Sequence, residues 1–182
     1  DVCEDTELHD SILAPLKKSY LDSIDLIGDA IKRMVDLDPS CKLNVVFDID
    51  NTLILTLDKH VFPELDFKYP KNVHSIKIGE THLWLIVRYG VKEALEYLST
   101  FCNLYVYSHG MLDYINAILN VLDPDQKLFK DRDSKVLAPR NQEEQLRFVE
   151  RRKNLADFRD PTDPNKLLFS EVELNKTFII DD

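Results

Sequence analysis

Apolar and polar positions along the chain switch between a helical and an extended period, and the switches mark out its elements. From residue 15 to 36, Leu16, Tyr20, Ile24, Ile27, Ile31 and Met34 recur at helical spacing. Pro15 suits a first turn and Asp38-Pro39 closes the run. With few heptads present, this amphipathic helix is expected to pack on the domain rather than form a coiled coil. Val45-Val46-Phe47 then reads as a buried strand of a parallel sheet that stops at Asp48. The stretch 58–89 changes character. Phe62-Pro63 and Tyr69-Pro70 suggest loops, and apolar runs at 75–78 and 81–87 flank Gly79-Glu80 as a β-hairpin. A helix is predicted over 90–100, with Val91, Ala94, Leu95 and Leu98 on one face. A second buried strand, 103–107, ends at Ser108-His109-Gly110, and a helix follows over 111–122, stopped by Asp123-Pro124. The charged region beyond holds a predicted helix at 142–152 and a loop at 159–165. Residues 176–180 form a third buried strand, ending at Asp181-Asp182.

Short apolar strands alternating with helices predict an α/β fold with a central, mainly parallel sheet. The expected organisation is an N-terminal helical extension (1–40) and one α/β domain (41–182) carrying a small β insertion at about 58–89. A length of 182 residues, 44% of them hydrophobic and 31% charged, suits one globular domain with a sizeable core. The formal net charge of -10 argues against a nucleic-acid partner or a general affinity for anionic membranes, although a basic pocket can still sit in an acidic protein. Cys3, Cys41 and Cys102 are too scattered for a disulfide framework or a zinc site, which favours a reducing compartment, cytoplasm or nucleus. No apolar run reaches the length of a membrane span. The chain starts without Met and stops at the end of an apolar strand, so an excerpt of a longer protein is expected. Membrane contact is then expected only through regions outside this sequence.

Three strands end in polar groups: Asp48 and Asp50, Ser108, and Asp181-Asp182. In a parallel sheet those ends share one edge, where open α/β sheets bind ligands. Four converging carboxylates call for a hard cation with oxygen ligands, for which Mg²⁺ is the natural choice, and phosphoryl transfer is the chemistry that follows. Plainer readings exist for each residue alone. An Asp-x-Asp can be a turn, Ser108 can cap the next helix, a lysine in a charged region can be surface, His109 can be idle, and Trp84 can be hairpin packing.

Together these residues carry a family resemblance. Asp48-Ile49-Asp50-Asn51-Thr52 resembles the DxDxT signature of haloacid dehalogenase-type phosphatases, and more narrowly the FCP/SCP-like branch of RNA polymerase C-terminal-domain phosphatases. Val87-Arg88-Tyr89-Gly90-Val91 is similar to that branch's Arg-Pro-Gly helix entry, Tyr105-Val106-Tyr107-Ser108 to its second motif, and Phe178-Ile179-Ile180-Asp181-Asp182 to its fourth. The resemblance runs from about Leu43 to Asp182 and implies a Rossmann-like three-layer fold. It also implies Asp48 as nucleophile and Mg²⁺ ligand, and Asp50 as general acid and base with its carbonyl on the metal. Thr52 would brace the loop, Ser108 would hold a phosphate oxygen, and Asp182 would ligate Mg²⁺ directly, with Asp181 acting directly or through water. The phosphate-binding lysine of the third motif has two candidates. Lys153 is preferred because a helix of suitable pattern can begin there, and Lys166 lies at a more usual distance from the last strand. Tyr89 in place of Pro, and Ser108-His109-Gly110 in place of a Thr-Ala-Ser-type sequence, set the chain apart near the substrate entrance. The function implied is a Mg²⁺-dependent phosphatase of phosphorylated proteins, Ser/Thr or Tyr, working through an aspartyl-phosphate. The alternatives are a phosphatase of small metabolites and a non-catalytic binding module of the mitochondrial import-receptor type.

Overall fold

A computed structural model describes residue 29 and residues 32–63, 71–150, 152–160 and 162–181. The chain divides into two units between Lys42 and Leu43. In the first, residues 32–37 are helical, and the side chain of Asp38 accepts from the Ser40 N–H at 2.9 Å to start a 3₁₀ turn, Pro39–Cys41. The earlier part of the expected N-terminal helix lies outside the described residues.

The second unit is built on a four-stranded parallel sheet in the order β6-β5-β1-β9. These strands are β1 (Leu43–Phe47), β5 (Cys102–Tyr107), β6 (Val136–Leu137) and β9 (Thr177–Ile180). Parallel neighbours need crossovers, and the helix α1 (Val91–Ser99) serves the step from β1 to β5, packing on β5. The helix α2 (Leu112–Leu122) leaves β5 and buries Ile115, Ile118, Leu119 and Leu122. β1 is central and apolar on both sides, with Val45, Val46 and Phe47 all buried. Its register pairs Phe47 with Val106 on one flank and with Ile180 on the other, so three strand ends lie level. The ladder continues one step, with the Asp48 N–H donating to the Ile180 carbonyl at 2.9 Å. The two-residue β6 was not anticipated. It follows a one-turn helix (α3, Arg132–Lys135) in a stretch whose charges mask so short an apolar signal.

The insertion is a three-stranded antiparallel sheet, β2-β4-β3, of β2 (Ile54–Asp58), β3 (Val73–Ile78) and β4 (Thr81–Val87). The β3–β4 hairpin matches the expectation, with Gly79 at φ +56°, a left-handed turn position that glycine adopts without strain. The insertion begins earlier than residue 58, however. β2 starts four residues after Asp50, because Leu53 and Ile54 turn directly into an apolar run that pairs with β4. Trp84 is buried in this sheet and donates its Nε1–H to the Phe62 carbonyl at 2.5 Å.

The face of the main sheet carrying Val46 and Tyr107 is covered by side chains from the later part of the chain. Phe158 and Phe169 are fully enclosed there, with Phe148, Leu155, Leu168 and Leu174 around them. Tyr105, Tyr107, Phe158 and Phe169 meet edge to face, the favoured arrangement for aromatic rings. Within this region the helix α4 (Gln142–Val149) stops short of the expected residue 152. The predicted loop 159–165 instead forms an antiparallel pair, β7 (Arg159–Asp160) with β8 (Asp163–Leu167), ahead of a one-turn helix α5 (Glu171–Leu174). The Asp-Pro-type sequences there predict a loop, whereas Asp160 and Asp163 pair across two strands. No described helix is long and apolar enough to cross a membrane.

Candidate active site

Asp48 takes the first position past β1 and is buried. Its Oδ1 lies 2.8 Å from the Lys153 Nζ, which also binds Asp181 Oδ1 at 2.7 Å. One ammonium thus bridges the ends of two adjacent strands. Burial raises the Asp48 pKa above the ordinary carboxylate value, while hydrogen bonds from Lys153 and the Ile49 backbone pull it back. The loop after Asp48 is tightly wound. Both Leu53 and Ile54 donate their N–H to the Ile49 carbonyl, at 2.9 and 3.2 Å, over a fully buried Ile49 side chain. Asn51 sits at φ +60°, a left-handed position that asparagine tolerates. Arg88 clamps the loop from β4's end: its Nη2 donates to the Asn51 carbonyl and its backbone N–H to the Leu53 carbonyl at 3.1 Å.

Asp50 faces the same pocket, where Tyr114 of α2 donates its hydroxyl to Asp50 Oδ1. The Tyr114 oxygen lies 3.0 Å from Thr56 Oγ1 on β2. Because the tyrosine proton is committed to Asp50, the threonine is the donor in that second bond. Burial and the bond to Asp50 raise the Tyr114 pKa, so the phenol keeps its proton. Sequence reasoning gave no role to Tyr114, Thr56 or Arg88.

Ser108 follows β5 and is buried, its N–H donating to the Leu137 carbonyl at 3.0 Å. Its Oγ accepts from the Gly110 N–H at 3.0 Å, which leaves the hydroxyl proton able to point into the pocket. A side chain at Gly110 would meet the Tyr114 ring at 2.8 Å, so this close turn requires glycine. Thr52 departs from expectation. Its Oγ1 is buried without a hydrogen-bond partner among the described residues, where backbone bonds and Arg88 brace the loop instead. Lys166 is also elsewhere, exposed and paired with Asp160 at 3.1 Å. The helix expected to begin at Lys153 is absent. Lys153 lies in an extended segment before a 3₁₀ turn, Leu155–Asp157, that is capped by Asn154. The segment is anchored by the Tyr107 hydroxyl donating to Asp157 and by Phe148 and Phe158 packed on the Tyr107 ring. Asp182 lies outside the described residues.

Residues 43–182 match the family described as NLI interacting factor-like phosphatase. The chain belongs to that family. The family's description as a phosphatase accords with the DxDxT resemblance of Asp48 to Thr52. Two solved structures are similar to the chain. One is Fcp1, an essential RNA polymerase II CTD phosphatase, at 24% identity and a TM-score of 0.47, over 53% of this chain and 30% of that one. The other is fission yeast Fcp1, a CTD phosphatase bound to beryllium fluoride, at 22% identity and a TM-score of 0.49, over 59% of this chain and 32% of that one. The chain therefore spans about a third of the length of each.

For this phosphatase-family domain the pocket itself tests the fit of a metal. It encloses about 590 Å³ between Asp48, Asp50, Ser108, Arg152, Lys153 and Asp181. Among the described residues no three His, Cys, Asp or Glu side chains gather as a metal cage. Mg²⁺ needs no such cage, because it binds through one or two carboxylates and completes its shell with water and phosphate oxygens. Asp48 and Asp181 already share one cation, the Lys153 ammonium, and are a hard oxygen pair of the right kind.

Proposed function

We propose that this chain is a Mg²⁺-dependent phosphoprotein phosphatase, acting on Ser/Thr or Tyr phosphate through an aspartyl-phosphate on Asp48. The observation that carries the reading is the buried Asp48 carboxylate held beside Lys153 and Asp181 at level strand ends, with Asp50 facing the same pocket. An Asp48 oxygen attacks phosphorus and the ester P–O bond breaks. Asp50 gives its proton to the leaving oxygen, then takes one from the water that attacks the acyl phosphate. That second attack breaks the P–O bond to Asp48 and releases inorganic phosphate. Ser108 donates its hydroxyl to a phosphate oxygen, and Lys153 turns part of its charge from the carboxylates to the phosphate. Asp48, Asp181, the Asp50 carbonyl and Asp182 would hold Mg²⁺, which would supply charge neutralisation at the phosphate. A short three-stranded insertion, rather than a large cap, favours a protein substrate over a small metabolite.

The test is a panel of phosphoserine, phosphothreonine and phosphotyrosine peptides with Mg²⁺ present, beside an aryl phosphate. Turnover of at least one class is expected. Asp48→Asn should abolish it, together with the acyl phosphate detected by mass spectrometry after acid quench. An intact protein that hydrolyses none of these substrates with metal present would overturn the reading.

A further inference from the structure

A second cavity, of about 290 Å³, opens between the start of β3 and the first turn of α1. Its chemistry runs against that of the whole chain. On a protein of net charge -10, Lys71, Arg88 and Lys92 line one small space, with Glu93 as the carboxylate among the lining residues. None of the three cations has a salt-bridge partner among the described residues. His74 also lines the cavity, and its Nε2 is buried with no hydrogen-bond partner among the described residues. The first turn of the nine-residue α1 adds the positive end of a helix dipole.

One hydrogen bond, from Arg88 to Asn51, links the linings of this cavity and of the pocket that holds Asp48. Tyr89 stands beside the cavity, 95% exposed, with its ring available to lie against a peptide. A phosphorylated segment approaching this protein meets a field of the same sign as its own. Productive approach needs a local positive site near the reacting phosphate. Lys153 and Arg152 meet that need inside the pocket, and Lys71 and Lys92 supply further positive charge in the cavity that Arg88 links to it.

We propose that the cleft framed by Lys71, Arg88 and Lys92 is a subsite for a second anionic group on the phosphoprotein substrate. The group it takes is a phosphate monoester or carboxylate near the phosphate being removed. This rests on the phosphatase reading and narrows it to acidic or multiply phosphorylated segments. A phosphate suits the site better than a carboxylate, since it brings about two charges and three acceptor oxygens to several donors.

The experiment measures kcat/KM of the full chain on peptides sharing one phosphoserine. Their flanking positions carry alanine, glutamate or a second phosphoserine, walked along either side. The expected order is second phosphoserine, then glutamate, then alanine, spanning about tenfold at low salt and shrinking as salt rises. Lys71→Glu combined with Lys92→Glu should remove the order while leaving p-nitrophenyl phosphate turnover within about twofold. If that variant loses p-nitrophenyl phosphate turnover, Lys71→Gln with Lys92→Gln gives the same comparison. Equal rates on all peptides, or an order that survives the substitutions, overturns the subsite. Should the wild-type chain hydrolyse nothing, the phosphatase reading fails separately. The subsite then stands or falls on fluorescence anisotropy of the doubly phosphorylated peptide: weaker binding to the charge-reversed variant supports it, and equal binding overturns it.

Discussion

Tyr114 decides which oxygen of Asp50 can carry a proton. Because its hydroxyl donates to Oδ1, a proton on the carboxyl must sit on the other oxygen, Oδ2. Thr56 completes the chain from the insertion sheet through α2 to the acid. Tyr114→Phe removes this constraint without altering charge or much volume. We expect kcat to fall about tenfold for alkyl phosphates, whose leaving groups need a proton, and little for p-nitrophenyl phosphate, with KM unchanged in both. A uniform loss on both substrates would mean that the tyrosine only supports the fold. Asp48, Asp50, Ser108 and Asp181 were legible in the sequence because each sits just beyond an apolar strand. Tyr114 and Arg88 were not. They reach the Asp loop across 64 and 37 residues, and a helix tyrosine or a strand-end arginine carries no local mark of such a contact.

At the scale of elements, the parallel strands and the β3–β4 hairpin followed from periodicity, whereas the short pieces did not. β2 starts three residues after Asn51, directly from the Asp loop, and β6 is two residues long. The segment bearing Lys153 is the sharpest case. It was expected as a helix, yet it has no regular structure and is held by side chains: Phe148 before it, Asp157 and Phe158 after it, all meeting Tyr107. The lysine's position therefore depends on core packing. Phe158→Ala should cost about 3–5 kcal/mol of stability. Urea unfolding would report that cost. In the same protein, kept folded at low temperature, kcat should fall further than for an equally destabilising substitution on α2. Equal losses would show that the aromatic cluster contributes stability alone.

Over the whole molecule, the level register of β1, β5 and β9 turns separate pieces of chain into one site. Two of the resulting carboxylates share a single ammonium. A divalent ion entering there binds the folded state alone, so Mg²⁺ should raise the melting temperature in a concentration-dependent way. Asp181→Asn should remove most of that rise, and scanning fluorimetry across a Mg²⁺ series checks it. A rise of equal size in both proteins would place the ion elsewhere. The same aromatic anchoring has a consequence for how such chains diverge. Lys153 lies 28 residues before Asp181, and the β7–β8 hairpin fills part of that interval. The hairpin meets polar needs of its own: Asp160 accepts from the Thr162 O–H and N–H and from Lys166, and the Thr162 bonds foremost, with Lys166, hold its carboxyl down at about 2. An insertion or deletion at that tip should leave the lysine where it was, since none of the tip's described residues is bonded to it. Spacing between the lysine and the last strand is thus free to drift during evolution, and a motif search with a fixed gap will pass over members of the family that are chemically complete.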